Sequence, residues 1–462
     1  MASTRDTTRS STMLRLGMAA GVGTSLELYD FTIYGTAAAL VFGEVFFKTD
    51  DAWFGTFMSL ATFAIGFLMA PIGAAIFGAI GDRRGRRVAL FAAFVLMGLA
   101  TLGMGVLPSY ASVGIAAPIL LVLLRLCHGA ARGGENSGAA VFAIEHAPES
   151  RRGFYGSFVA IGSPIGTILA NLAFTLVLLL PDDSVTSWGW RIPFLVGGLV
   201  MVVGLWIRQG VAESPVFEEM AAGKEGEGKQ DSAAQMPLFA VLKTNWRRVA
   251  LTAGVNIGLN ATTFALVTFM LSYATADAPE GLGLPRQPIV NGSLVALACH
   301  ALVNVGAAWV SDRIGRKPVM ITGAALSVVA VLVMFHITSA GTVAAVNTAV
   351  ITGFCTTGLL FGPLYTFFAE LYPGEQRQSG LGVGFHVGAV LGGGISPLIA
   401  NRIIAATGNA LNIGYYLAAL LVISLICLFR LPETAPARAH KRLAQAPSDP
   451  VPAVADRVDV TR

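Results

Sequence analysis

The chain has 462 residues and a mass of 48.2 kDa; 54% of its residues are hydrophobic, 13% are charged, and the mean hydropathy is +0.68. Soluble domains carry about 25% charged residues, so a soluble enzyme, a disordered chain and a nucleic-acid binder are excluded as leading readings. The formal charge of +4 means little until the charges are placed. Apolar runs between charged or Pro/Gly-rich breaks predict twelve helices, over 18–46, 54–80, 88–108, 116–146, 154–180, 190–209, 249–275, 289–310, 319–337, 343–370, 379–405 and 409–430. They run from 19 to 31 residues, enough for the roughly 20 that cross a ~30 Å hydrocarbon core.

Residues 1–15 read as a short solvated cytoplasmic tail, and the first helix is too long and too acidic for a cleaved signal peptide. The interval 211–245 contains EEMAAGKEGEGKQDSAAQ (218–235), too polar to span and too poor in large apolar residues to pack. It reads as a cytoplasmic linker between six-helix bundles at 16–210 and 246–431, and 432–462 as a disordered tail. Of the 31 Lys and Arg residues, 25 fall on the side shared by both termini; only Lys48, Arg191, Arg286 and Arg402 fall on the other, while Arg125 and Arg132 lie inside the fourth span. The positive-inside rule then puts both termini in the cytoplasm. Cys127, Cys299, Cys355 and Cys427 sit in apolar runs without metal-ligand or CxxC spacing, so no disulfide framework, metal site or cofactor is expected.

An internal repeat supports the two halves. GDRRGRR (81–87) lies between the second and third spans and SDRIGRK (311–317) between the eighth and ninth, with Asp82 and Asp312 230 residues apart. Glu145, Pro148 and Arg152 recur 225 residues later as Glu370, Pro373 and Arg377. Two halves about a membrane-normal pseudo-axis, with substrate at the midplane, is a transporter design. In GAIGDRRGRR (78–87), Gly78 permits close helix approach and Gly85 a tight turn. Asp82 can accept from the orphan amides of a facing helix, and Arg86 and Arg87 can pair with acids such as Glu145. With Arg83, Arg152, Asp312, Arg313, Gly315, Arg316, Glu370 and Arg377 these form a candidate conformational latch. The plainer reading is a pair of positive-inside turns.

The sequence resembles the major facilitator superfamily, and within it the metabolite:proton symporters that carry 2-oxoglutarate, citrate, shikimate or proline/betaine. The matching stretches are LELYDFTIYG (26–35), GAIGDRRGRR (78–87), RLCHGAARGGE (125–135), EHAPESRRGFYGS (145–157), WGWRIPF (188–194), ESPVF (213–217), SDRIGRKP (311–318), FFAELYP (367–373) and GAVLGGGISPLIA (388–400). The resemblance implies alternating access with proton entry coupled to solute uptake. Three positions depart from it: Ala70 where an arginine is usual, Asn136 in place of an aromatic, and Ala160 where glutamine is common. Those departures alter the polar pocket, so no one member's substrate transfers.

Glu27, Asp30 and Tyr34 fall at i, i+3 and i+7 on one face of the first helix. A charge at a helix centre costs roughly 2.5–3.5 kcal/mol on the insertion scale, so such groups usually line a cavity. Asp30 and Glu27 are the leading proton-carrier candidates, unless they pair permanently with Arg125 or Arg132. Arg125, His128, Arg132 and Glu135 form one stripe about 15 Å long on the fourth helix. Arg125 aligns with the arginine of the family's fourth-helix motif and suits a carboxylate through a two-point grip. Arg132 and Glu135 can also satisfy each other, and His128 and Glu135 are further proton-coupling candidates. In the second half Asn256, Asn260, Thr263, His300, Asn304 and His386 can hydrogen-bond substrate or merely tie helices together. Gly380, Gly384, Gly388 and Gly392 form a smooth ridge suited to sliding or to plain tight packing.

The favoured function is proton-coupled uptake of a small carboxylate metabolite, with a zwitterionic osmolyte such as betaine or proline as the close competitor. A transport-inactive sensor on the same fold is a second class. An enzyme is not expected, and no Walker loop supports ATP drive. The expected partners are a small-molecule solute, a proton and the lipid bilayer of a bacterial-type cell membrane; no nucleic acid is expected, and the chain is expected to be monomeric.

Overall fold

The computed structural model describes residues 2–47, 52–209, 213–214, 216–219, 237–276 and 281–435. Among them there is no β-strand. We number the long helices α1 (Ala2–Leu40), α2 (Ala52–Arg84), α3 (Arg86–Gly105), α4 (Ala116–His146), α5 (Arg152–Val177) and α6 (Arg191–Gln209) in the first half. The second half holds α7 (Pro237–Phe264, continued by a π-helical turn Ala265–Phe269 and Met270–Thr275), α8 (Arg286–Ile314) and α9 (Arg316–Thr338). It is completed by α10 (Val343–Phe361 with Leu364–Glu370), α11 (Arg377–Ala389, a π-helical turn Val390–Gly394 and Ser396–Thr407) and α12 (Leu411–Arg430). The fold is therefore an all-α bundle of twelve helices in two halves. Ten stretches of the described residues are long and apolar enough to cross a membrane; α1, with its polar start, and α11, broken by its π-helical turn, complete the set.

Several boundaries differ from those read in the sequence. α1 runs back to Ala2, so residues 2–15 continue the first helix and are not a separate tail. α7 starts at Pro237, inside the interval assigned to the linker, and bends at Asn245. The rest of that linker over 220–236, and the tail beyond Ala435, lie outside the described residues. GDRRGRR is not an open loop: α2 continues through Arg84 and the chain turns at the single residue Gly85, where φ is 111°. Gly315 does the same between α8 and α9 at φ 107°. A side chain at such a φ is strained, which fixes glycine at both corners.

Within the first half α1 packs on α5, α2 on α4, and α3 on α4 and α6; in the second, α8 and α9 pack on α10, and α7 and α9 on α12. The α2–α4 contact is very tight, because a Cβ on Gly73 would stand 1.9 Å from the Ala130 carbonyl oxygen and one on Gly133 2.0 Å from that of Ala70. Thus Ala70, where arginine was expected, sits at a close approach of two backbones. The halves meet along two seams, α2 against α11 and α5 against α8. One buried apolar cluster joins Ala139–Ile144 and Val159 of the first half to Leu364, Phe367–Ala369 and Leu381 of the second, closing the bundle at its arginine-rich end.

The glycine ridge of α11 has a different role from sliding between halves. Gly384, Gly388 and Gly392 face Thr252, Ala253 and Ile257 of α7, within one half. Gly382, off that ridge, faces Ala74 and Ser137 across the seam.

Candidate functional site

The midplane of the first half is built from α1 and α4, with side chains from α2 and α3. Glu27 and Arg132 pair across α1 and α4 at 2.7 Å, with Glu27 fully buried. The Asn136 amide donates to the second Glu27 oxygen at 3.3 Å and to the Tyr365 hydroxyl on α10 at 3.1 Å. Arg132 thus forms an ion pair across to α1, in addition to having Glu135 one turn along its own helix. Glu135 is fully buried as well. The Arg132 guanidinium also lies 4.0 Å from the centre of the Phe31 ring and 5.3 Å from that of Phe67.

Asp30 is held differently. Thr101 on α3 donates to its Oδ2 at 2.7 Å, while Oδ1 has no hydrogen-bond partner among the described residues. His128 brings Nε2 to 3.7 Å from Oδ2 and has no hydrogen bond at that nitrogen. On its other side His128 Nδ1 lies 3.2 Å from Arg125 Nη1. The carboxylate thus has one neutral donor and one free lone-pair edge, a buried arrangement that costs free energy unless compensated.

Arg125 is fully buried, and among the described residues no carboxylate lies within ion-pairing distance of it. Its guanidinium stands over Tyr34 at 4.1 Å, Phe63 at 5.1 Å and Phe31 at 5.3 Å from the ring centres. The Phe63 carbonyl accepts from Nη2 at 3.4 Å, and Nε has no acceptor. A Cβ on Gly66 would stand 2.5 Å from Nε, so glycine there makes the room the guanidinium occupies. Tyr34 is fixed by its hydroxyl, 2.6 Å from Thr62 Oγ1. Ring faces attract a guanidinium but do not neutralise it.

The polar residues of the second half serve mostly in contacts between its own helices. Asn256 donates to the Phe385 carbonyl at 2.6 Å, tying α7 to α11, and Asn260 donates back to the Asn256 carbonyl at 3.1 Å. His300 Nδ1 is 2.8 Å from the Phe354 carbonyl, tying α8 to α10. Asn304 is fully buried with neither amide atom partnered, and His386 is buried with Nε2 unpartnered. None of these five is in hydrogen-bond contact with Arg125, Asp30 or Glu27. Tyr365, stacked 5.3 Å from Phe385, reaches the acid–arginine cluster from this half, and His386 stands near Arg132 and the Gly133 backbone of α4. Ala160 is fully buried in apolar surroundings.

At the arginine-rich end two matching networks join the halves. Asp82 accepts from the Ser379 and Gln378 amides at 3.1 and 3.3 Å and from the Ser379 hydroxyl at 2.6 Å, at the start of α11, and it pairs with Arg86. Asp312 accepts from the Gly153 and Phe154 amides at 2.8 and 2.9 Å, at the start of α5, and pairs with Arg316. Arg86 also reaches Glu145 at 3.4 Å and the Gly374 carbonyl at 2.5 Å, while Arg316 reaches Glu370 at 3.3 Å. Gly78 lies against the backbone of Ser379.

The two networks are not equal. Arg377 crosses the seam to Glu145 at 2.9 Å, but its counterpart Arg152 stays in its own half, 3.8 Å from Glu149. Arg83, Arg87 and Arg313 are exposed, at the rim of the networks in which their motif had placed them. The Arg87 backbone amide donates to Glu213 at 3.1 Å.

Several partners were not legible as site residues: Thr62, Thr101, Ser379, and the acids Glu213 and Glu433. Glu213 caps the start of α3, and Glu433 caps that of α9 through the Arg316 and Lys317 amides at 2.9 and 3.1 Å. Ser214 and Thr434, beside them, donate to Glu145 and Glu370 at 2.5 and 2.6 Å. The available signal was a third repeat, Glu-Ser at 213–214 and Glu-Thr at 433–434, 220 residues apart.

Residues 16–230 match the Sugar (and other) transporter family, and residues 291–458 match the Major Facilitator Superfamily. The chain belongs to the major facilitator superfamily and is a transporter, not an enzyme. It is 37% identical to the inner membrane metabolite transport protein YhjE of Escherichia coli (strain K12), over 89% of this chain and 92% of that one. It is 34% identical to the shikimate transporter of the same organism, with the same two coverages. Among solved structures it superimposes on the proton:xylose symporter XylE bound to 6-bromo-6-deoxy-D-glucose with a TM-score of 0.74 at 18% identity, over 92% of this chain and 97% of that one.

Proposed function

We propose that the chain imports a small carboxylate metabolite together with a proton, by alternating access, across a bacterial cell membrane with both termini in the cytoplasm. The observation that carries this reading is Arg125, a buried cation without a protein carboxylate, beside an Arg132 that already has one. Burying an unmatched charge is costly unless a partner arrives. A substrate carboxylate supplies that partner with two oxygens against a planar fork. Asp30, with its free Oδ1 edge and His128 nearby, is the proton acceptor in this scheme. Glu27 is the acid whose charge Arg132 and Asn136 hold in place. The networks at Asp82 and Asp312 act as the latch of the cytoplasm-closed conformation, and they release when the halves rock apart.

A zwitterion such as betaine is less favoured, because the ring faces suited to a quaternary ammonium are occupied by Arg125 and Arg132. The test is counterflow and uptake in proteoliposomes with mono-, di- and tricarboxylates, betaine and proline, with and without an imposed pH gradient. Saturable carboxylate accumulation that collapses with the gradient supports the reading. Uptake of betaine alone, or of nothing, sinks it.

A further inference from the structure

Arg313, which the sequence motif assigned to the latch, is directed elsewhere. Its guanidinium lies 3.3 Å from the centre of the Trp309 ring and its Nη1 3.5 Å from the Trp309 carbonyl oxygen. With Asp312, Trp309, Ser150, Arg151 and Phe154 it lines an open cleft of about 370 Å3, where the start of α5 meets the end of α8. Asp312 is already engaged by the Gly153 and Phe154 amides and by Arg316. Glu149, on the same turn as Arg151, is turned to Arg152. The cations left facing the cleft are Arg151 and Arg313, one from each half.

The cleft continues onto the apolar surface. Trp309 is 49% exposed, a Cβ at Gly306 would meet nothing within 4 Å, and Leu302 one turn further is 74% exposed. Across the seam Ile165 and Leu169 are exposed on α5. The opposite seam lacks this construction: the 225-residue repeat puts Glu375 and Gln376 where Ser150 and Arg151 stand, and the 230-residue repeat puts Ala79 where Trp309 stands. Moreover, the α5–α8 seam is the one where the crossing arginine, Arg152, makes no ion pair to the other half among the described residues.

We propose that this cleft binds the phosphate of an anionic membrane lipid between Arg151 and Arg313, with an acyl chain along Trp309, Gly306 and Leu302. The bound lipid joins the two halves at the arginine-rich end, on the seam whose own ion pair is missing. Basic pockets between transmembrane helices on the cytoplasmic side take anionic headgroups, and the cytoplasmic leaflet is the anionic one. The proposed orientation of the chain enters only in deciding which leaflet supplies the lipid.

The test uses the full chain in phosphatidylcholine vesicles, with or without an equal part of phosphatidylglycerol in both leaflets, so that neither orientation nor transport enters the readout. Quenching of Trp309 by acyl-brominated lipid is taken as the difference between the native protein and Trp309→Phe. Brominated phosphatidylglycerol is expected to quench Trp309 in preference to brominated phosphatidylcholine. Each arginine is expected to contribute about fivefold to that preference, so R151Q/R313Q lowers it by about 25-fold. R151K/R313K, which keeps the charges, retains it within about threefold and controls for folding. Equal quenching by the two lipids, or an unchanged preference in the glutamine variant, overturns the proposal. Complete displacement of the brominated lipid by inorganic phosphate assigns the cleft to a soluble anion and also overturns it.

Discussion

Asn136 donates to Tyr365 across the boundary between the two halves while the same amide nitrogen holds Glu27. The charge of the α1 acid and the position of α10 thereby share one side chain, at a place where the family pattern has an aromatic ring. Asn136→Ala leaves the Tyr365 hydroxyl without this partner and Glu27 without its amide donor. A hydrogen bond to a charged group contributes about 1.5–3 kcal/mol, so gradient-driven uptake should fall by about tenfold or more at unchanged expression. Uptake within about twofold of the native protein would argue that the link is incidental.

Asp30→Asn keeps an oxygen for Thr101 but removes the atom that takes a proton. Accumulation against a gradient should be abolished, while solute exchange at equal pH stays within about threefold. The two assays falling together would separate Asp30 from coupling.

Arg125→Lys replaces a planar fork between three rings by a point charge on a flexible stem. Substrate affinity should weaken by about tenfold or more, since a bidentate contact becomes a single one. An unchanged half-saturation concentration would remove Arg125 from the substrate site.

Asp82→Asn and Asp312→Asn each weaken the bonds to a helix start on the other half. Charge-assisted contacts of this kind contribute about 1.5–3 kcal/mol each, so the cytoplasm-closed population should fall. Alkylation of a cysteine placed at Ser137, which faces Gly382 across the seam, should accelerate in both variants. Protection equal to that of the unmutated latch would show that the apolar cluster alone keeps this end shut.

Gly73→Ala and Gly133→Ala place a methyl group about 2 Å from a backbone oxygen of the facing helix. Neither backbone can yield without separating α2 from α4, so each variant should lose about 3 kcal/mol or more of stability. Melting in detergent checks this, with Gly306→Ala, which meets open space, as the neutral control.

The spans were legible because hydrophobic length is a property of local sequence, and the breaks at Gly85 and Gly315 were legible because the motif repeats. Pairing was harder. Arg132 has an acid one turn away on its own helix and another on α1, and only the packing of α1 against α4 brings Glu27 to it. Asn256 and His300 share the polar character of substrate ligands, but their direction toward α11 and α10 depends on how those helices lie. The glycine ridge of α11 misled for the same reason: spacing marks a smooth face without saying which neighbour it meets. Glu213 and Glu433 went unread because each caps a helix far from it in the chain.

The inequality between Arg377 and Arg152 would give the proposed gate a direction. Parting α2 from α11 means tearing an ionic tie between the halves, whereas parting α5 from α8 means giving up the amide bonds to Asp312 and apolar area, with no arginine pairing across among the described residues. In the proposed cycle such a mouth would unzip from its weaker edge and swing on the stronger, making the path by which solute leaves lopsided even though the architecture around it is nearly two-fold.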